Sequence, residues 1–407
     1  MKNTAAFRQT VSRRRLLSAV GMAAAASILV SGCTASPEKA NAGGDSDKDF
    51  VVYASLGLSG ASSTFAPSLQ EGMNAAVATI NDNGGLLGRQ MVLEVENNES
   101  VATTAVSNLQ KRLKKDPAPE LIWAGTTSSE TLAMLSLTNR EKVISLNNGS
   151  APEIGDASKF PHSFSAGVTV AAQAEFLSRK LQEGGYKNVG VLTASGAFGE
   201  AQASQYRKTL EAAGLTVATE TYEPDAVEMD GPLARLADSN PDVVVFNDFV
   251  HPSYVLKSRI KVGMGDVPFI GDVSTTIKDI SGTVTEEEKK GVTLTTYSVQ
   301  STDVDRPGVD ALLEQVRKAG HTINGGLYLY ALAYDTLLAY ANAVEATGTT
   351  DVDKVRAAME AGDGETYQLA ISDKIGWTKE LHLGTNAEVF TVIPVVPMVA
   401  GQYKTTG

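Results

Sequence analysis

IWAGTTSSETLAMLSLTNREKVISLNNGSAPEI, residues Ile122–Ile154, is the stretch whose reading decides the fold. With Leu121 before it, Ile122-Trp123-Ala124 has the apolar density of a buried strand. Gly125 breaks the run, and Thr127-Ser128-Ser129-Glu130 follows with the Ser/Thr-x-x-Glu spacing of a helix capping box. A second apolar run, Val143, Ile144 and Leu146, ends at Asn147-Asn148-Gly149. Ser150-Ala151-Pro152-Glu153 then repeats the spacing, with Pro152 tolerated in a first helical turn. If the two strands are parallel neighbours, both turns open onto one edge of one sheet, where open α/β sheets bind ligands. Hydroxyls and unpaired N–H groups at helix N-termini attract carboxylate or phosphate there. Taken singly, each box also reads as an ordinary cap; the pair points to a site.

Outward from this stretch, strand-like and helix-like runs alternate. Val51–Leu56 reads as a strand, and Phe65, Leu69, Met73, Ala76, Val77 and Ile80 share one helical face until Asn83-Gly84-Gly85 stops them. Met91–Val95 is a strand and Val101–Leu113 a helix. Pro161–Gly167 lacks period and marks a candidate crossing. A second alternating series begins with a helix at Val168–Leu181 and runs to the short strand Phe269-Ile270. Gly291–Tyr297 is extended, Val309–Lys318, Tyr328–Val344 and Val352–Ala361 are helical, and short strand-like runs follow Tyr367. Alternating βα units imply parallel sheets with right-handed crossovers. Two series of about 120 residues each imply two lobes. The expected division is 49–163 plus 292–362 for lobe 1 and 164–291 plus 363–407 for lobe 2, so that the chain crosses three times.

The 407 residues allow roughly two or three domains and a large core. The formal charge is −12. Five basic residues (Lys2, Arg8, Arg13, Arg14, Arg15) precede Cys33 with no acid among them; without them 30 basic and 47 acidic residues remain, about −17. So acidic a surface argues against a nucleic-acid partner. One cysteine and four scattered histidines (His162, His251, His321, His382) exclude an intrachain disulfide and a Cys/His zinc cluster.

Residues 1–32 read as an export signal. Ser12-Arg13-Arg14-Arg15-Leu16-Leu17 resembles a twin-arginine signal, and Leu16–Val30 is an apolar run too short to span a bilayer comfortably. Val30-Ser31-Gly32-Cys33 resembles the lipobox of bacterial lipoproteins. That resemblance implies cleavage before Cys33 and lipid attachment there, with several acyl chains giving durable anchoring. Residues 33–48 read as a flexible tether.

At Leu56–Asn97, LGLSGASSTFAPSLQEGMNAAVATINDNGGLLGRQMVLEVEN resembles the opening of the periplasmic binding proteins for leucine, isoleucine and valine, most specifically in the INxxGGxLGR pattern of Ile80–Arg89. The resemblance continues at Val143–Glu153, Asn188–Leu210, Asp242–Phe246 and Tyr328–Glu345, and so covers nearly all of residues 50–407. It implies the α/β, two-lobed type I periplasmic-binding-protein fold: each lobe a mainly parallel sheet flanked by helices, with three hinge crossings. It also implies a receptor that closes on a small polar solute and hands it to the membrane permease subunits of an ABC importer. Residue by residue, Thr127 or Ser128 matches the hydroxyl that holds a ligand carboxylate, and Gly149 and Ser150 match the next turn's donors. Asn148 occupies the place of a carbonyl offered to the ligand ammonium, and Phe65 and Phe198 match aromatic walls. The family's second-lobe acid, which pairs with that ammonium, falls at Ala226, with Asp225 and Glu228 beside it. Asp248, after the strand Val243–Phe246, and Asp272, after Ile270-Gly271, are the candidates to replace the charge.

Each candidate has a plainer reading. Phe65 suits a helix-face core position, Asn147-Asn148 suits a turn, and Asp248 and Asp272 suit loops or caps. Trp123, inside a strand, reads as core. The chain lacks a Gly-x-Ser-x-Gly elbow, a P-loop and a dinucleotide glycine motif, so an α/β hydrolytic enzyme is the weaker alternative and a ligand-sensing lipoprotein the closer one. The expectation is a lipid-anchored, monomeric, non-enzymatic receptor on the extracytoplasmic face of a bacterial membrane, without cofactor or metal. Its solute would be an amino acid, branched-chain ones included, or an amide-like compound.

Overall fold

The computed structural model describes residues 48–404 except 224–225, 249–250, 304 and 386. The expected export signal, the tether as far as residue 47, Cys33 and Asp225 lie outside the described residues. The first lobe opens with β1 (Phe50–Leu56), β2 (Met91–Asn97), β3 (Leu121–Ala124), β4 (Ile144–Asn147) and β5 (Ser163–Val168). The second holds β6 (Asn188–Ala194), β7 (Thr216–Tyr222), β8 (Val243–Phe246), β9 (Phe269–Gly271) and β10 (Val292–Tyr297). β11 (Leu383–Thr385) returns to the first sheet and β12 (Phe390–Pro394) to the second. The sheet orders, β2-β1-β3-β4-β5-β11 and β7-β6-β8-β9-β10-β12, repeat one plan. Every pairing in them is parallel except β10 with β12. β1, β3 and β4 are buried at every residue, as strands covered by helices on both faces must be.

The helices are α1 (Ala66–Asp82), α2 (Ala102–Arg112), α3 (Ser128–Glu141), α4 (Val170–Glu183), α5 (Ala197–Ala212), α6 (Asp230–Ala237), α7 (Pro252–Lys261), the single turn α8 (Glu286–Lys289), α9 (Pro307–Lys318), α10 (Leu327–Thr347) and α11 (Val352–Ala361). α10 is apolar on nearly every side and buried almost throughout, the mark of a helix inside the core. It packs on α1 so closely that a Cβ at Gly72 would stand 2.1 Å from the Tyr330 carbonyl oxygen. Trp123 is fully buried in the same core.

The sheets divide the chain differently from the expected boundaries. Residues 164–168, expected to begin the second lobe, belong to β5 of the first sheet, and residues 292–297, expected in the first lobe, form β10 of the second. The aperiodic look of Pro161–Gly167 comes from small polar residues that satisfy themselves locally: Ser165 Oγ donates to Gly149 O at 2.8 Å and accepts from Gly167 N at 2.9 Å. Residues 367–377, expected in the second lobe, pack into the first core. Two buried polar residues of α10 hold them there. Asp335 accepts from the N–H groups of Ala370 (2.6 Å) and Ile371 (2.8 Å), and Asn342 exchanges two bonds with the Tyr367 backbone. The crossings therefore follow β5, β10 and β11, all at strand carboxyl ends.

Candidate functional site

In the first lobe the β3–α3 turn begins at Gly125 (φ 80°) and brings Thr126 and Thr127 to the sheet edge. Thr127 is the N-cap of α3, accepting from Glu130 N at 3.4 Å. The capping box is modified. Glu130, 2% exposed, reaches the N–H of Thr126 (2.9 Å) and the hydroxyl of Thr127 (3.1 Å), and Asn98 donates to it at 2.8 Å. The expected second box at Ser150 does not form. Pro152–Gly155 is one 3₁₀ turn, its N-cap is Ala151, and no side chain caps it. Ser128 instead joins the two turns, its Oγ accepting from the N–H groups of Ser150 and Ala151, both at 3.2 Å. With two donors on its oxygen, the Ser128 hydroxyl has its proton left to give. Asn148 donates to Thr126 O at 3.2 Å, while its Oδ1 is buried without a partner.

In the second lobe, Gly196 (φ 104°) turns the chain from β6 into α5 and sets Phe198 near the helix N-terminus. Asn247 follows β8, and Ser274 lies in the 3₁₀ turn Val273–Thr276 after β9. These turns and those of the first lobe enclose a cavity of about 300 Å³, enough for a small metabolite. Phe65, Thr127, Ser128, Asn148, Gly149, Ser150 and Phe198 all line it. Phe65 is at once wall and core, only 7% exposed. The N-terminal turns of α3 and α5 contribute from opposite lobes, bringing two positive dipole ends to one space. Among the described residues, no lining side chain carries a charge.

Asp248 and Asp272 are not brought to this wall. Asp248 is buried and accepts from His251 N at 2.7 Å. Asp272 is the N-cap of its 3₁₀ turn, bonded to Ser274, Gln202 and Asn247; burial pushes its carboxyl above the ordinary range against the pull of those bonds. Ala226 packs against the second-lobe core, and Glu228 reaches Lys261 at 3.6 Å. Sequence reasoning missed Gln173, Asn247, Ser274, Gly167, Tyr297 and Tyr328, which also line the cavity. Tyr297 and Tyr328 stack with centroids 5.0 Å apart. Gly167 carries a steric signal: a Cβ there would sit 2.6–2.8 Å from Gly149 O, Asn148 O and Ser150 Oγ. Gln173 carries none, being one polar residue on a helix.

A family model described as "Periplasmic binding protein" matches residues 54–392. No curated protein matches the chain in sequence. Among solved structures, a periplasmic binding protein type 1 from Bordetella pertussis Tohama I is 18% identical, with 85% of this chain and 96% of that chain covered and a TM-score of 0.74. An ABC transporter substrate-binding protein from Desulfitobacterium hafniense is 15% identical over 86% and 99% of the two chains, with a TM-score of 0.70. A leucine binding protein from Thermotoga maritima is 17% identical over 81% and 92%, with a TM-score of 0.68. The family model spans most of the chain and these structures share its two-sheet plan, so the protein belongs to the periplasmic binding protein family and has the type I, two-lobed α/β fold.

Proposed function

We propose that this protein is a lipid-anchored extracytoplasmic receptor that captures a small polar solute between its lobes for the permease subunits of an ABC importer. The observation that carries the reading is the cavity at the carboxyl ends of both sheets, to which each lobe contributes polar groups and an aromatic ring. Phe65, Thr127, Ser128, Asn148, Gly149 and Ser150 are the first-lobe contacts and Phe198 the second-lobe wall. A buried polar solute must keep its hydrogen bonds or desolvation dominates, and neutral hydroxyls with two helix N-termini supply them. Contacts from both lobes favour the closed form, so binding shifts a hinge equilibrium. Periplasmic binding proteins are themselves a standing example of such closure, and closure here rests on that kinship. Binding proceeds without turnover, and lipid on Cys33 keeps the receptor at the membrane.

A thermal-shift panel on residues 34–407 tests this, with amino acids, short amides, urea-like compounds and small carboxylates. A solute at roughly 100 times its dissociation constant should stabilise the fold by about 2.7 kcal/mol. No shift with any class, or turnover of an ester or amide panel, overturns the reading. Cys33→Ala should move the full-length protein from the membrane fraction to the soluble one.

A further inference from the structure

Resting on the cavity as a solute site, we propose that its second-lobe wall reads an uncharged amide group, and that Asp272 sets the polarity of that wall from behind it. Asp272 is 1% exposed. Its Oδ1 accepts from Ser274 N (3.0 Å) and from the Ser274 hydroxyl; its Oδ2 accepts from Gln202 Nε2 (2.7 Å) and Asn247 Nδ2 (3.4 Å). A carboxylate only accepts, so the amides facing it must turn their NH₂ groups inward.

The consequence passes outward bond by bond. Gln202 shares its other N–H between Gln173 Oε1 (2.9 Å) and the Tyr206 hydroxyl (3.0 Å), and its own Oε1 accepts from Asn247 Nδ2 (2.8 Å). The Tyr206 hydroxyl also donates to Gln173 Oε1, at 3.1 Å. Gln173 thus has its oxygen committed inside the lobe and Asn247 its nitrogen. The opposite atoms, Gln173 Nε2 and Asn247 Oδ1, have no hydrogen-bond partner among the described residues and are not sealed from solvent, and both residues line the cavity. Ser274, also in the wall, has spent its proton on Asp272 and offers lone pairs. Beside the N-terminal turn of α5, the side chains of the wall therefore present one donor, Gln173 NH₂, and two acceptors, Asn247 Oδ1 and Ser274 Oγ.

An amide offers a carbonyl oxygen to the donor and an N–H to the acceptors. An ammonium satisfies the acceptors but opposes the Gln173 N–H groups, with no charge among the described lining residues to replace its water. A carboxylate suits Gln173 and opposes the two acceptors. Asp272 is thus a positioning residue: it acts on the solute through Gln202, Asn247 and Ser274.

The test is calorimetry on residues 34–407 with 4-methylpentanamide, 4-methylpentanoate, 4-methylpentylammonium and N,N-dimethyl-4-methylpentanamide. The primary amide should bind at least about tenfold more tightly than each charged isostere, and dimethylation should remove that advantage. Gln173→Glu keeps the inward acceptor and replaces the outward donor, so it should reverse the ranking towards the ammonium while the melting temperature stays close. Asp272→Asn can donate as well as accept, and should reduce discrimination between amide and carboxylate about tenfold. A wild-type preference for either charged isostere, or a ranking that Gln173→Glu leaves unchanged, overturns the proposal. If other solutes bind the cavity but no amide does, the proposal falls and the receptor reading stands; if no solute class binds, both fall. Should Asp272→Asn not fold, the Gln173→Glu ranking decides.

Discussion

Ser128 and Ser150 face the same space, yet they do different work. Ser150 Oγ makes no hydrogen bond to the described protein, whereas Ser128 Oγ accepts two backbone N–H groups. Ser150→Ala should therefore weaken solute binding by about 1–3 kcal/mol, read by calorimetry, with little change in melting temperature. Unchanged affinity would remove Ser150 from the site. Gly167→Ala is a steric probe of the same wall. The added Cβ would meet three polar atoms of the 148–150 turn within 2.6–2.8 Å, so the turn must move. The variant should lose about 1–3 kcal/mol of stability and at least about tenfold in affinity; wild-type values for both in denaturation and titration would show that the turn is not held against β5.

At the scale of elements, α10 is the post on which the first lobe is hung, and Asp335 is its buried tie to the returning chain. Burial raises the Asp335 carboxyl to about 7, opposed by the N–H groups of Ala370 and Ile371. Between about pH 4 and pH 7 the folded protein therefore holds a proton that the unfolded chain has released. Stability contributed by this group should fall as pH rises through that window and level off above it, by up to about 4 kcal/mol. Asp335→Asn should flatten that part of the profile of melting temperature against pH; a variant with the same slope as wild type would assign the pH dependence to other groups. Gly72 marks the other constraint on α10. Gly72→Val should destabilise by about 1–3 kcal/mol through overpacking against the Tyr330 backbone, read as a lower midpoint in chemical denaturation.

For the whole molecule, two sheets of one plan bring the turns at their strand carboxyl ends to one cavity, and three connections link them. Few covalent links and a shared cavity suit a two-state hinge, in which a solute that touches both lobes stabilises the closed form. Saturating solute should lower the radius of gyration in solution scattering. An unchanged value alongside clear binding would mean that the lobes do not move, and capture would then rest on local gating.

Apolar runs of strand length alternating with helical periods made the parallel α/β plan and the two lobes legible from residues alone, because burial on both faces of a sheet forces that composition. The strand-to-helix turn at Thr127 was legible for the same reason, since a strand carboxyl end and a helix N-terminus leave polar groups to satisfy; at Ser150 the polar turn was legible but the helix expected after it is a single 3₁₀ turn that no side chain caps. What only the tertiary structure decided was partnership. Whether β5, β10 and residues 367–377 belong to one lobe or the other depends on which sheet or helix supplies their hydrogen bonds, and pattern does not carry that information. The same holds for Asp272, Gln202, Asn247 and Gln173: 99 residues separate the first and last of this chain of bonds, Asp272 and Gln173. The direction each amide faces exists only once they are packed together.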